Sequence, residues 1–232
     1  MSRSAYLQEM FEFYDGPLNP VHETSAAQHL SAMEALFSTE GHWFREVVQA
    51  MQAAVSGRRV LEVACGHGRW SIFAANTANQ VVATDNAPRL LAAARQIAEQ
   101  KGVSEERLQY LEVDAFNLDA APGEYGGAVV MNFFQHIPFA THSDFLDGLH
   151  RKLLPGAVVF MGANHFSAEG LLLMPGAPDT YEVRSRPDGS TYQIIDNTLG
   201  PDILRGILAG RAADLEFESN DAWWWLTYTV RE

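Results

Sequence analysis

A single cysteine, Cys65, stands in the whole chain, which excludes an internal disulfide framework and makes a reducing, cytoplasmic compartment the expected home. Basic side chains are scarce as well: 16 Lys and Arg against 29 Asp and Glu leave a formal charge of −13. A surface that tracks nucleic-acid phosphates needs clustered cations, so a small-molecule partner is expected and nucleic acid is not. No apolar run approaches the length of a membrane span, and Met1-Ser-Arg-Ser-Ala5 lacks the apolar centre of a signal peptide, so no membrane partner is expected either. Internal repeats and low-complexity linkers are missing too. What remains is 232 residues, 47% of them apolar, enough for one domain with a large core.

The apolar spacing predicts helices first. Tyr6, Leu7, Met10, Phe11 and Tyr14 form one stripe, ended by Asp15-Gly-Pro-Leu-Asn-Pro20. A second helix is capped by Thr24 and turns Leu30, Met33 and Phe37 inward. A third follows Gly41 and buries Phe44, Val47, Val48, Met51 and Val55. From Val60 onward strands and helices alternate. Val60–Val63, Val81–Thr84, Leu108–Val113, Ala128–Met131 and Ala157–Met161 read as strands. Pro88–Lys101 reads as a helix, and so does the stripe Phe145, Leu146, Leu149 and Leu153, stopped by Pro155-Gly156. That rhythm implies an α/β fold, a mostly parallel sheet with helices on both faces. It breaks over residues 165–198, where Tyr181–Arg184 and Thr191–Ile195 flank Asp188-Gly189. Asp-Gly supplies the positive φ values of a tight turn, so a hairpin is expected there. A helix over Pro201–Ala209 and two strands, Leu215–Glu218 and Ala222–Val230, close the chain, with Trp223, Trp224 and Trp225 alternating across the last strand.

The stretch Val60-Leu-Glu-Val-Ala-Cys-Gly-His-Gly-Arg-Trp70 organises the rest. It reads as a buried strand entering a glycine turn that opens a helix, and such a turn presents backbone N–H groups to polar or anionic ligand groups. Cys65 and His67 invite a metal reading, but no second pair at ligand spacing accompanies them, so no metal is expected.

Glu62-Val-Ala-Cys-Gly-His-Gly68 resembles the acidic-x-Gly-x-Gly-x-Gly motif of class I S-adenosylmethionine-dependent methyltransferases, with Ala64 where the first glycine usually stands. Asp85 after the second strand, Val113-Asp-Ala-Phe116, Met131-Asn-Phe-Phe-Gln-His-Ile-Pro138 and Leu153-Leu-Pro-Gly156 resemble the motifs that follow, so the likeness spans residues 58–164. The resemblance implies a single Rossmann-like doubly wound domain over 1–232, its seven-stranded, mostly parallel sheet ordered 3-2-1-4-5-7-6 with the last strand antiparallel. Residues 1–56 would form a helical cap, 57–164 the cofactor-binding core, 165–198 a lid with a hairpin, and 199–232 the last helix and antiparallel strand pair. It also implies S-adenosyl-L-methionine as cofactor, S-adenosyl-L-homocysteine as product, a small methyl acceptor as partner, and a monomer or homodimer.

On that resemblance Glu62, Ala64, Cys65, Gly66, Gly68 and Arg69 cradle the methionine end, Asp85 and Asn86 the ribose, and Asp114, Ala115 and Phe116 the adenine. Asn132 borders the methionine moiety and the acceptor. Each residue also has a structural reading. Asp85 suits the two ribose hydroxyls or an N-cap, and Asp114 suits the adenine amino group or an Asx-turn. Glu62, costly to bury alone, needs loop N–H groups or the cofactor as partner. Arg69 reads as a partner of the cofactor carboxylate or a surface ion, and Cys65 as small filler.

A base is required if the acceptor is a hydroxyl or a protonated nitrogen, and histidine is the side chain best matched to neutral pH. His136 is the first candidate, His165 the second, and Tyr14 a third; His136 reads equally as a core or capping residue. Tyr14, Trp43, Phe133, Phe134, His136, Phe166 and Tyr181 suggest an aromatic or heteroaromatic acceptor, although aromatic residues are also ordinary core material. A nicotinamide-dependent oxidoreductase would share the glycine turn and the acid after strand two, but Gly66-His-Gly-Arg-Trp-Ser71 lacks the third glycine. A non-catalytic protein that binds the cofactor is the other alternative.

Overall fold

The computed structural model describes residues 41–165, 171–173, 178–185 and 189–231. The expected helices before Gly41 lie outside them. Helix α1 (Gly41–Val55) buries Phe44, Val47, Val48, Met51 and Val55, the stripe its spacing announces. The alternating elements follow as β1 (Arg59–Val63), α2 (Arg69–Ala75), β2 (Gln80–Asp85), α3 (Pro88–Gln100), β3 (Leu108–Glu112), β4 (Tyr125–Met131), α4 (His142–Arg151) and β5 (Leu153–Asn164). Next come three short strands, β6 (Leu171–Leu173), β7 (Thr180–Ser185) and β8 (Thr191–Ile195). Helix α5 (Pro201–Ile207), β9 (Ala212–Ser219) and β10 (Trp223–Val230) complete the fold.

The large sheet has seven strands in the order β3-β2-β1-β4-β5-β10-β9. With β6, β7 and β8 set aside, that is the expected 3-2-1-4-5-7-6, and β10 runs antiparallel to both of its neighbours. Its central strands are buried on both faces, as parallel strands covered by helices must be. Alternate residues therefore feed two cores. Val60, Val81, Val129, Trp223 and Trp225 meet residues of α1, α2 and α3 on one face. Leu61, Val82, Val130, Trp224 and Leu226 meet residues of α4 and α5 on the other. Strand order reverses between β1 and β4, and open α/β sheets bind ligands in the crevice at the carboxyl ends flanking such a switch.

Two expectations need correction. Leu153 does not extend α4; it pairs with Tyr125 as the first residue of β5. Leu154 precedes Pro155, which disfavours helical backbone, and Pro155-Gly156 sit inside an irregularity between the Tyr125↔Leu153 and Gly127↔Val158 pairs, with Gly156 at φ +75°. The expected hairpin is present as β7 and β8, but β6 adds a third strand to it. Leu171-Leu-Leu173 has no alternation to announce a strand.

Candidate active site

The end of β1 and the start of α2 are joined by a turn in which Ala64, Gly66 and Gly68 all have positive φ, at +56°, +56° and +78°. Ala64 thus holds a left-handed conformation that costs a residue with a Cβ about 1–2 kcal/mol. Cys65 N–H bonds the Thr84 carbonyl at 2.9 Å and Gly68 N–H bonds the Cys65 carbonyl at 3.0 Å, closing the turn against β2. Among the described residues a Cβ at Gly66 would meet nothing within 4 Å, so they leave the turn open at that point. One at Gly68 would lie 2.3 Å from Tyr110 Oη, so the turn is filled there.

Glu62 is 1% exposed, and its Oε2 has no hydrogen-bond partner among the described residues. Burial lifts it to about 8; the Ser71 hydroxyl pulls the other way and the Asp85 carboxylate pushes in the same direction as burial. A group in that state is stabilised by an incoming cation. Cys65 is buried, and burial together with Glu62 and Asp85 pushes its thiol up, so it stays protonated and is no nucleophile.

Asp85 ends β2 and uses both carboxylate oxygens to fix the crevice. Oδ2 accepts from Gly66 N–H at 2.8 Å, and Oδ1 accepts from Ala87 N–H at 2.9 Å. It is not an N-cap: Ala87 occupies that position before Pro88. Asn86 beside it is exposed. Asp114 is exposed after β3, and its Oδ1 accepts from Phe116 N–H at 2.8 Å, an Asx-turn. Ala115 and Phe116 are half-buried, and the Phe116 ring packs 6.0 Å from Phe145. Arg69 is half-buried at the first position of α2. Three carboxylates thus stand at or just past the carboxyl ends of β1, β2 and β3, beside an open glycine turn. That acidic, N–H-bearing set suits a ligand that carries hydroxyls and a positive charge.

Across the switch, Asn132 follows β4 at φ +53° and is stitched to β5 twice. Its N–H bonds the Gly162 carbonyl at 2.9 Å, and its Oδ1 accepts from Asn164 N–H at 3.1 Å. A 3-10 turn over Phe134–His136 comes next. His136 is 6% exposed; its Nδ1–H donates to the Ile195 carbonyl at 2.7 Å, and its Nε2 lies 3.3 Å from Gln135 Nε2. Burial lowers it to about 4, partly offset by the Ile195 carbonyl, with Arg184 adding to the lowering. His136 is therefore a neutral imidazole that ties the strand-four turn to β8. His165 is exposed at the end of β5 beside a cleft of about 270 Å³.

The expected aromatic wall is dispersed. Phe134 is buried in the core, stacked on His142 with ring centroids 4.1 Å apart, and Phe133 packs 5.4 Å from Phe145. Trp43, in the first turn of α1, packs at the edge of the core, and half-buried Tyr181 pairs with Leu172 and Ile195 in the small sheet. Tyr14 and Phe166 lie outside the described residues. Three residues that the sequence did not single out instead cluster around His136. Gln135 and Asp196 line the cleft. Asn197 joins the strand-four turn to the small sheet through Ile137, Asp179 and Thr180. Among the described residues no group of three or more His, Cys, Asp or Glu could hold a metal ion, and no helix is long and apolar enough to cross a membrane.

Residues 60–156 match the family model of a methyltransferase domain. The chain is 33% identical over 144 residues to a ubiquinone biosynthesis O-methyltransferase of Xylella fastidiosa, covering 61% of this chain and 55% of that one. It is 32% identical over 123 residues to a demethylmenaquinone methyltransferase of Thermus thermophilus, covering 52% and 53%. The chain thus spans about half the length of these curated relatives. Among solved structures, the DhpI-SAM-HEP complex shares the fold at a TM-score of 0.71 and 17% identity, over 98% of this chain and 99% of that one. The matched methyltransferase domain, residues 60–156, holds the Gly66 turn and the strand-end carboxylates at the switch point of the sheet.

Proposed function

We propose that this chain transfers a methyl group from S-adenosylmethionine to an oxygen or nitrogen atom of a small molecule. The observation that carries the reading is Asp85, whose carboxylate locks the open Gly66 turn at the β1–β4 switch and stands where a ribose would need an acceptor. When bound, the cofactor supplies an electrophilic methyl on a cationic sulfur. Glu62 and the turn N–H groups would hold its methionine end, Asp85 its ribose and Asp114 its adenine. Asn132, fixed to β5 on both sides, sets the boundary between that crevice and the cleft beside His165. The chain's contribution is to hold two reactants in line and keep water out, which lowers the barrier by positioning. The names of the two quinone-pathway relatives support an acceptor that carries a ring.

His136 enters this reading as an orienting residue rather than a base. A neutral imidazole with both nitrogens engaged holds the turn in place but stores no proton near pH 7. The same observation favours a second reading, a cofactor-binding protein without turnover. Calorimetry with S-adenosylmethionine, followed by labelled methyl transfer to phenols, catechols, carboxylates and heterocyclic amines, separates the two. Binding with transfer supports the enzyme, binding with no transfer to any acceptor supports the second reading, and no binding refutes both.

A further inference from the structure

The cleft beside His165 is formed by the end of β5, the facing ends of β9 and β10, residues 196–201 and the strand-four turn. Two side chains in its wall each hold a buried oxygen with no hydrogen-bond partner among the described residues: Gln135 Oε1 and Asp196 Oδ2. Those side chains belong to residues only 2% and 4% exposed. They flank the two nitrogens of one imidazole. Gln135 Nε2 lies 3.3 Å from His136 Nε2, and Asp196 Oδ1 lies 3.9 Å from His136 Nδ1.

Hydrogen-bond bookkeeping fixes what this pair offers. The Ile195 carbonyl can only accept, so His136 Nδ1 carries the proton and its Nε2 is a lone pair. Gln135 must then present its NH₂ to that lone pair, which leaves its Oε1 as an acceptor. Asp196 Oδ2 is an acceptor as well when its carboxyl is ionised. A buried acceptor without a donor costs about 1–3 kcal/mol, more when it is charged. A carboxylate or phosphate ligand would add acceptors to acceptors, and a hydroxyl brings one hydrogen to two oxygens. An amino group brings two or three.

We propose that this cleft holds the methyl acceptor by an amino group whose N–H bonds are taken by Asp196 Oδ2 and Gln135 Oε1. That the occupant is the acceptor rests on the methyltransferase reading; that it carries an amine rests on the two oxygens. Trp224 lines the same cleft, stacked on Phe217 at 6.2 Å, and offers an apolar wall for the rest of the ligand. Burial, reinforced by Glu182 and opposed by Arg184, lifts Asp196 to about 7, so a protonated amine entering near pH 6 displaces a proton from it. His136 and His165 are the other titratable groups that border the site.

Trp224 also supplies the readout. Tryptophan fluorescence of the full chain is titrated with benzylamine, benzyl alcohol and benzoate, with Trp224→Phe to assign the signal to the cleft. Benzylamine is expected to give a saturable change, benzyl alcohol one at least tenfold weaker, and benzoate none. Asp196→Asn keeps the shape, so it melts no lower than the wild type, binds S-adenosylmethionine unchanged by calorimetry, and loses benzylamine affinity at least tenfold. Equal responses to the three probes, no response to benzylamine, or an Asp196→Asn protein that titrates like the wild type overturns the proposal. A wild-type protein that binds benzylamine and not S-adenosylmethionine overturns the methyltransferase reading alone.

Discussion

Asp85→Asn tests whether one carboxylate both builds the crevice and reads its ligand. In the protein each oxygen accepts a backbone N–H, from Gly66 at 2.8 Å and from Ala87 at 2.9 Å. An asparagine amide keeps one acceptor and turns an NH₂ towards the other N–H, so one charge-assisted bond is lost. Such a bond contributes about 1.5–3 kcal/mol. In a domain of this size each kcal/mol moves the melting temperature by about 2–4 °C, so a fall of roughly 3–12 °C is expected by differential scanning calorimetry. Lost affinity alone would then be ambiguous, because a loosened turn binds poorly whatever Asp85 touches. A cycle with the ligand resolves this. Wild type and variant are each titrated with S-adenosylhomocysteine and with its 2′-deoxy analogue. If Asp85 accepts from the ribose, removing the hydroxyl costs the wild type about tenfold or more in affinity. The same removal should cost the variant less than threefold. Equal losses in the two proteins refute the ribose role; an unchanged melting temperature refutes the account of the turn.

Gly68→Ala places a Cβ 2.3 Å from Tyr110 Oη at φ +78°, and a loss of about 1–3 kcal/mol is expected in urea unfolding. Glu62 is lifted from 4.5 to about 8, so the folded protein keeps a proton that the unfolded chain releases between those values. Ligand-free stability should therefore fall as pH rises through that window, by at most about 1.4 kcal/mol per pH unit, and Glu62→Gln should flatten the slope. A profile identical to the wild type's would show that Glu62 is ionised in the fold. Asn197→Ala removes a buried amide bonded to Ile137, Asp179 and Thr180. Hydrogen exchange should speed up in β7 and β8 by tenfold or more while β1, β2 and β4 stay protected.

The β1 turn and the crevice beside it were legible because their signals are local. Val60, Leu61 and Val63 alternate between two cores, Gly66 and Gly68 take left-handed backbone, and Asp85 ends the next strand. The cleft beside His165 was not, because it is built from pairs far apart in the chain. Asp196-Asn197 looks like ordinary turn chemistry between a strand and a helix until residues 135–137 arrive against it. One signal was available: these two polar residues continue the buried run of Ile194-Ile195 without a glycine or proline before Gly200. Phe134 misled for a similar reason. Composition counts an aromatic ring, but only the 3-10 turn decides that it stacks on His142 in the core.

The stitching of Asn132 to β5 separates two tasks. Glu62 and Asp85 stand on β1 and β2 and Asp114 just past β3, whereas much of the cleft wall hangs on residues 196–201, and the two regions meet at the backbone around Asn132 and Asn164. Exchange of the segment from Asp179 to Pro201 would rewrite the chemistry that the cleft presents while every bond of the Gly66 turn stays in place. A chain built in this way can change what its cleft admits without disturbing the crevice at the Gly66 turn.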